Sequence, residues 1–256
     1  MTRFPTSTQP RVLVLAGQGL NCEAETLLAF ERVGFRGDVV HVDDVLAPDF
    51  DLMAYQVLAV PGGFSYGDHI GAGKALANRL QTGLSERFAR FMDAPDKLAI
   101  GICNGCQALV KSGLWQRPDS MVKATVSLSA NNSGTYICRW VDVHCRSGDG
   151  PWFIKAPERF SLPIAHGEGR FVSTDPLNPA LVYDGDNPNG SQDNTAALTG
   201  YDGRVLVMMP HPERAIRFTQ LPDWTNRREN ARRLQQGEPD VGPGLAIFAS
   251  AAHWFA

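Results

Sequence analysis

One stretch of the sequence, KLAIGICNGCQ at residues 97–107, constrains the fold more than any other. Its first half is a short apolar run, typical of a strand buried on both faces. Cys103 then stands between Gly101 and Gly105, and the residues up to Gly113 have the pattern of a helix that ends at a glycine. Strand, Gly-x-Cys-x-Gly and helix together predict a nucleophile elbow, with the thiol at a helix N-terminus that favours the thiolate. A buried structural cysteine beside a turn has the same local pattern.

Composition excludes several classes of function. The 256 residues are 43% hydrophobic and 20% charged, with a formal net charge of -3, which gives no reason to expect a nucleic-acid or membrane partner. No apolar run approaches the roughly 20 residues of a membrane span, and the N-terminus lacks the apolar core of a signal peptide. Five cysteines, an odd number, argue for reduced thiols. We therefore expect a cytoplasmic protein.

Apolar runs alternate with helical patterns in the first half of the chain. Strands are predicted at 11–16, 38–42, 56–60 and 98–102, and the clearest helix at 74–92. This alternation predicts an α/β fold with a mostly parallel central sheet and helices on both faces. In such a sheet, ligands bind beyond the carboxyl ends of the strands, which is where the elbow falls.

The pattern changes after Trp115. Short strands are predicted at 122–128 and 135–143, as a hairpin around an Asn-Asn-Ser-Gly turn, so we expect a smaller antiparallel sheet as well. Further short strands are predicted at 162–165 and 181–183.

No internal repeat and no long linker divides the chain. We expect residues 1–10 to form a flexible leader and 11–256 a single domain. Within that domain, the polar stretch at about 221–242 is predicted to be an insertion with a solvated charged face. An apolar terminal helix is predicted at 244–255.

The motif MPHPER at 209–214 stands at the end of an apolar run, 204–209, that is predicted to be a buried strand. Its prolines disfavour a helix and push His211 towards an extended conformation. Because residues two apart share a face of an extended chain, Glu213 can hold the His211 imidazole as a base for Cys103. The alternative is a surface turn with a charge pair. The position after a core strand, in a chain with a cysteine elbow, favours the catalytic interpretation.

Paired glycines at the end of another predicted strand offer an oxyanion hole. In PGGFSYGD at 61–68, backbone N–H groups at Gly62 and Gly63 can face a ligand without a side chain in the way. The amide of Asn104, just past the nucleophile, would be the second donor. A plain turn is the structural alternative.

Two other features suggest different chemistry. AHGEGRF at 165–171 contains a histidine and a glutamate, but no spacing in it matches a structural zinc pattern, and we predict no metal site. Cys103 and Cys106 have the spacing of a redox pair. A redox pair needs neither an elbow nor a His-x-Glu motif, so it would leave both features of this sequence unexplained. The redox interpretation is therefore less favoured.

The motifs resemble those of the class I (triad) glutamine amidotransferases. In that family the order is Cys, then His-x-Glu, whereas in α/β-hydrolases the acid lies between nucleophile and histidine. A larger set is similar to the glutaminase part of phosphoribosylformylglycinamidine synthase, from about the first strand to the terminal helix. This set comprises GGFSYGD at 62–68, NSG at 132–134, AHGEGRF at 165–171, NPNGS at 187–191 and MPHPER at 209–214.

The resemblance implies a flavodoxin-like fold and a residue assignment. It makes Cys103 the nucleophile, His211 the base and Glu213 the acid that orients it. Gly63 and Asn104 would supply the oxyanion donors, and the choice between Gly62 and Gly63 stays open. The implied contacts of the substrate are Gly62, Gln107, His166, Gly167 and Glu168.

The resemblance also implies a reaction and partners. The family hydrolyses L-glutamine and passes ammonia to a synthetase partner that converts formylglycinamide ribonucleotide in purine biosynthesis, with a small third subunit as a further candidate partner. ATP and Mg would belong to the synthetase, since this chain has no Gly-x-x-x-x-Gly-Lys-Ser/Thr loop and we expect no cofactor in it. The alternatives are a component of another synthetase, or a cysteine hydrolase of the same fold. Such a hydrolase would keep the elbow but lack a His-Pro-Glu motif like the one at 211–213. A non-catalytic relative would lack the cysteine.

Overall fold

The computed structural model describes residues 9–118, 126–146, 150–237 and 240–256. In chain order, the elements are β1 Arg11–Ala16, α1 Glu23–Glu31, β2 Arg36–His41, α2 Val42–Leu46, β3 Val57–Val60, α3 Lys74–Asp93, β4 Leu98–Ile102, α4 Asn104–Ser112, β5 Ser127–Ser129, β6 Ile137–Cys145, β7 Arg159–His166, β8 Arg170–Val172, β9 Leu181–Tyr183, β10 Thr195–Gly200, β11 Val205–Met208, α5 Trp224–Arg233 and α6 Leu245–Trp254. Nine of the strands form one mixed sheet, in the order β2-β1-β3-β4-β11-β10-β9-β6-β7.

Five neighbouring strands, β2-β1-β3-β4-β11, are parallel. Every residue of β3, β4 and β11 is buried, as their uninterrupted apolar sequences predict. Helix α3 packs against α4, and α1 packs against α6, where Phe30 and Phe248 meet edge to face. The carboxyl ends of β3, β4 and β11 therefore meet at one edge of the sheet, which is the edge that carries the predicted motifs.

The other four strands continue the sheet in antiparallel pairs. The predicted hairpin is wrong for the part that the structure describes, because β5 pairs with β8 whereas β6 pairs with β7 and β9. Residues 119–125, which include the start of its first strand, lie outside the described residues. The predicted α/β class with a smaller antiparallel sheet is confirmed, and the central sheet is larger than predicted.

The predicted insertion at 221–242 contains α5, which has no buried side chain. This face is therefore solvated as predicted, and Arg227, Arg232 and Arg233 pair with acids on the same helix or at its start, such as Arg227 with Asp223. The single domain at 11–256 stays a prediction, and residues 1–8 of the leader lie outside the described residues. Among the helices that the structure describes, none combines the length and the apolar character that crossing a membrane requires.

Candidate active site

Cys103 occupies a strained turn between β4 and α4. Its φ of 50° and ψ of -105° are unusual for a residue with a side chain, and such strain is common at functional sites. The flanking glycines are required by close packing. A Cβ at Gly105 would overlap the carbonyl oxygen of Val60, and one at Gly101 would lie 2.7 Å from the Gly105 carbonyl oxygen. The predicted elbow is therefore present, with both glycines in the roles that the pattern assigned to them.

The two cysteines of the elbow differ in their surroundings. The Cys103 thiol donates to the carbonyl oxygen of Ala165 at 3.5 Å and keeps 5% of its surface exposed. Cys106 is fully buried within α4, and burial raises its pKa well above the ordinary value of a thiol. Cys106 is therefore a packing residue, and the geometry does not support a redox pair.

His211 and Glu213 form a buried pair directly after β11. His211 Nδ1 lies 2.5 Å from Glu213 Oε1, although the predicted extended conformation is wrong beyond His211: residues Pro212–Ala215 form a short 3-10 turn. The turn, which starts at the proline, brings the carboxylate back under the imidazole. The backbone N–H of His211 donates to the Pro163 carbonyl oxygen of β7 at 2.8 Å, which ties the His211 backbone to the sheet.

The charges around His211 favour its protonated form. Burial disfavours the imidazolium, but the Glu213 carboxylate and a thiolate at Cys103 outweigh it, so the pKa of His211 is raised well above its ordinary value. Nε2 of the ring has no hydrogen-bond partner among the described residues. The ring can therefore hold a proton, with Nε2 free to transfer it.

Cys22 is a third side chain at this ring, and no sequence motif pointed to it. Backbone N–H of Cys22 donates to Gly62 at 3.3 Å, and its thiol accepts from Arg214 Nη2 at 2.9 Å. Burial raises the pKa of Cys22. Ligand atoms of Cys22, His211 and Glu213 lie within 4.8 Å of one another, a donor set that could suit zinc. The thiol and the imidazole already have partners in Arg214 and Glu213, however, so the group needs no ion to account for it.

Gly62, the first of the paired glycines, packs against the same imidazole. A Cβ at Gly62 would lie 2.8 Å from His211 Cε1, and Gly63 has a φ of 152° that favours glycine. The neighbouring hydrogen bonds, Cys22 to Gly62 and Phe64 to Gly19, use other backbone groups than the Gly63 amide. Asn104 is the first residue of α4, so its amide has no acceptor within the helix. The role of these two amides as oxyanion donors stays a prediction.

The Asn104 side chain ties the elbow to the turn at 61–68. Its Oδ1 accepts from the Ser65 amide at 3.0 Å, and its Nδ2 donates to Asp68 at 3.1 Å and to Gln107 at 2.8 Å. Burial is the main reason that the pKa of Asp68 is raised. These contacts give the turn and the helix a shared, buried polar link.

The segment 166–169, which begins at the last residue of β7, contacts the helix of the elbow. Gln107 Nε2 donates to the Glu168 carbonyl oxygen at 2.6 Å. The Glu168 carboxylate accepts from Lys111 at 3.1 Å and from the Ala72 amide at 3.2 Å, so it already has partners within the chain. The structure therefore brings all predicted site residues into one region. It adds Cys22, Asp68 and Lys111, and also Asn131, whose backbone N–H donates to the Gly167 carbonyl oxygen at 2.9 Å. The sequence did not indicate these four residues as parts of the site.

Comparison with known proteins agrees with this geometry. Residues 9–255 match the model of the CobB/CobQ-like glutamine amidotransferase domain. The phosphoribosylformylglycinamidine synthase subunit PurQ of Dehalococcoides mccartyi is 37% identical, over 95% of this chain and 97% of the relative. The chain belongs to the PurQ family of glutamine amidotransferases. The PurQ subunit of Methanococcus maripaludis strain C5 is 35% identical over 96% of this chain and 98% of its own length.

Solved structures give the same result for the fold. A chain in the structure of PurLQS from Thermotoga maritima is 31% identical, with a TM-score of 0.71, and the match covers 95% of this chain and 98% of that one. A putative GMP synthase chain from Thermoplasma acidophilum has a TM-score of 0.60 at 12% identity, with coverage of 97% and 95%, and shows the fold alone. The resemblance to the class I amidotransferases is confirmed.

Proposed function

We propose that this PurQ-family chain is a glutaminase subunit, which hydrolyses L-glutamine to glutamate and ammonia for phosphoribosylformylglycinamidine synthase. The observation that carries the proposal is the strained Cys103 elbow beside the buried His211–Glu213 pair. A nucleophile, a base and an acid that orients the base are the three parts that amide hydrolysis through a thioester requires.

The first half of the reaction forms a thioester. The Cys103 thiolate attacks the side-chain amide carbon of glutamine, and the oxygen that becomes negative accepts from the amides of Gly63 and Asn104. His211 gives its proton to the leaving nitrogen, so ammonia departs and Cys103 holds the glutamyl group. Because the pKa of His211 is raised, the proton is available at neutral pH.

The second half hydrolyses that thioester. His211, now neutral, takes a proton from water, and the resulting hydroxide attacks the thioester carbon. The bond to Cys103 breaks, glutamate leaves, and the thiolate and imidazolium are restored. Glu213 stabilises the imidazolium through Nδ1 in both halves, and the net reaction consumes one water for each glutamine.

Glutamine would be held between the turn at 61–68 and the segment 166–169. We propose contacts from Gly62, Gln107, His166, Gly167 and Glu168. The carboxylate of Glu168 already binds Lys111, so we assign its contact to the main chain. Phe64 and Tyr136, whose rings lie 6.2 Å apart, are about half exposed and would form the rim of this pocket.

The names of the relatives support the proposed partners. Both PurQ relatives are named as subunits of the synthase. The solved structure from Thermotoga maritima is named PurLQS, which indicates that its Q component was solved together with an L and an S component. We therefore propose a synthetase and a small third subunit as partners, with ATP and Mg bound by the synthetase and no cofactor or metal in this chain. We also propose a cytoplasmic location, which suits a chain whose five cysteines are all free thiols.

Glutamate release by the purified chain, with and without the synthetase, tests the proposal. We expect Cys103→Ser to abolish release, and Cys138→Ser, which changes an exposed cysteine on β6, to leave it unchanged. With the synthetase, glutamine should replace ammonium as the nitrogen source for formylglycinamidine ribonucleotide. Glutamate release without transfer to this product, but with transfer by another synthetase, would favour the alternative partner. No release under any of these conditions would contradict the proposal.

A further inference from the structure

Asn131 is a buried asparagine whose polar groups bind the segment 166–169. Only 3% of its surface is exposed. Its backbone N–H donates to the Gly167 carbonyl oxygen at 2.9 Å, and its side-chain Nδ2 donates to the His166 carbonyl oxygen at 2.8 Å. Its Oδ1 accepts from the Gly169 amide at 3.1 Å. One side chain and its own backbone thus hold three of the four residues in this segment.

These hydrogen bonds also fix the orientation of the Asn131 amide. The end of the side-chain amide that faces the Gly169 N–H must be the oxygen, because that N–H donates to it. The other end must be the nitrogen, because it donates to the carbonyl oxygens of His166 and Thr135. His166 Nδ1 lies 3.1 Å from the same Oδ1. An oxygen can only accept, so Nδ1 carries the ring proton.

His166 is therefore held as one neutral tautomer with Nε2 unprotonated. The ring is 2% exposed, and burial, assisted by the charge of His211, lowers its pKa to about 4. Nε2 has no hydrogen-bond partner among the described residues. A Cβ at Gly169 would overlap the ring, so the segment folds closely over the imidazole.

A second asparagine supports the segment from its far end. Asn189 Nδ2 donates to the Gly169 carbonyl oxygen at 2.8 Å, and the Asn189 carbonyl oxygen accepts from the Asn132 amide at 3.0 Å. The motifs at 132–134 and 187–191 thereby meet at the segment 166–169. Among the hydrogen bonds of the described residues, none joins either motif to Cys103 or His211, so these motifs act on the site through the segment.

The segment and the residue before it contact the elbow and its helix. Ala165, the residue before it, accepts from the Cys103 thiol at 3.5 Å, and Glu168 accepts from Gln107 at 2.6 Å. A shift of the segment would therefore displace the proposed glutamine contacts more than the elbow itself, because Cys103 is held by β4 and α4.

We propose that Asn131 is a positioning residue for the glutamine site: it holds residues 166–169 against Cys103 and fixes His166 in its Nδ1-protonated tautomer. The inference rests on the proposed function for its kinetic part, because it concerns the binding of glutamine. Its tautomer part concerns the folded chain alone.

A kinetic comparison of Asn131→Ala with Gln56→Ala tests the positioning role. Gln56 is the control: its side-chain oxygen also accepts from a backbone amide, that of Arg11 at 2.8 Å, and this contact lies at the amino ends of β1 and β3, away from the segment 166–169. We expect Asn131→Ala to raise the KM for glutamine about tenfold or more while kcat falls less than about threefold, because ground-state contacts are lost and the elbow is kept. Gln56→Ala should leave KM within about twofold.

Nitrogen NMR of the His166 ring provides the second measurement. In the wild type we expect a protonated Nδ1 and an unprotonated Nε2, and in Asn131→Ala a mixture of the two neutral tautomers. If Asn131→Ala does not fold, Asn131→Asp keeps the shape and both acceptor contacts but removes the two Nδ2 donors, and KM should still rise.

The outcomes separate the two proposals. A folded Asn131 variant with wild-type KM, or a wild-type ring protonated at Nε2, would overturn the inference. A wild-type chain that releases no glutamate, alone or with the synthetase, would instead contradict the proposed function, and the tautomer measurement would still decide the role of Asn131.

Discussion

Glu213 Oε1 lies 2.5 Å from His211 Nδ1, and the two side chains are 0% and 2% exposed. The other carboxylate oxygen, Oε2, has no hydrogen-bond partner among the described residues. The negative charge of Glu213 is therefore directed at a single atom of His211, in surroundings where water does not weaken the attraction. This explains why the pKa of His211 rises although the ring is buried.

Replacing this charge should slow the reaction without weakening the binding of glutamine. For Glu213→Gln we expect kcat to fall by about 100-fold or more, with KM within about threefold, because the imidazolium loses its counter-charge while ground-state contacts survive. Steady-state glutamate release measures both constants. A large rise in KM with unchanged kcat would place Glu213 in the binding pocket instead.

The two cysteines of the elbow should respond differently to a glutamine-analogue alkylator. We expect the reagent to label Cys103 in the wild type and in Cys106→Ala, and to label nothing at the elbow in Cys103→Ala. Cys106 is fully buried, so its truncation should lower the free energy of unfolding by about 1 kcal/mol and leave the thioester chemistry intact. Peptide mapping by mass spectrometry identifies the labelled residue, and labelling that depends on Cys106 would reverse the assignment.

Gly62 should tolerate no side chain, because its neighbours are parts of the site. A Cβ there would lie 2.8 Å from His211 Cε1 and 3.0 Å from Cys22 Sγ. We expect Gly62→Ala to push the imidazole away from Cys103 and to reduce glutamate release by about 100-fold. Gly150→Ala is the control, since a Cβ at Gly150 meets nothing within 4 Å, and it should retain full activity. Equal activity of both variants would contradict the packing argument.

The sequence predicted the parallel half of the fold well, because the pattern that predicts each of these strands lies within a few consecutive residues. Strands β3, β4 and β11 are short apolar runs, each followed by a glycine or proline motif, and parallel strands end at one edge. The hairpin failed because a turn signal does not choose the partner of a strand. Strand β5 has three residues, and its pairing with β8 depends on contacts distant in sequence.

The same distinction applies to the site. The elbow and the His-x-Glu motif are each only a few residues long, so the spacing of residues within each one could identify it. The backbone of the second motif was not predicted, because a 3-10 turn at Pro212–Ala215 replaces the expected extended chain. The contact of Cys22 with Arg214 spans 192 residues and has no local pattern. Asn131 adjoined a recognised motif, but only the fold shows that it binds the segment 166–169.

His166 should make the folded state less stable in mild acid. Its pKa is about 4 in the folded chain, against about 6.5 when unfolded, so between these values only the unfolded state binds the proton. The free energy of unfolding therefore falls as pH drops from about 6.5 to 4, by on the order of 3 kcal/mol from this residue.

Urea denaturation of the wild type and of His166→Gln across that pH range measures this contribution. The stability of His166→Gln relative to the wild type should increase as pH falls, because the variant has no imidazole to protonate. A difference between the two proteins that does not change with pH would show that His166 is not held neutral by the fold.

The turn that carries Gly63 is the element best suited to couple glutaminase activity to a partner. Tyr66, Gly67 and Asp68 have φ values of 55°, 68° and 54°, so two residues with side chains adopt a left-handed conformation. The Asn104 side chain joins this turn to the elbow. A strained turn linked to the oxyanion site can have two arrangements, of which a partner can stabilise one.

We therefore expect weak glutaminase activity from the isolated chain and a strong increase when the synthetase and formylglycinamide ribonucleotide are added. Asn104→Ala keeps the backbone oxyanion donor but removes the link to Ser65 and Asp68, so it should reduce the stimulation more than the basal rate. Glutamate release, measured for both proteins with and without the partner and its substrate, gives the two stimulation factors. Full activity from the wild-type chain alone, unchanged by the synthetase, would refute the coupling, because the turn would then need no partner to reach its active arrangement.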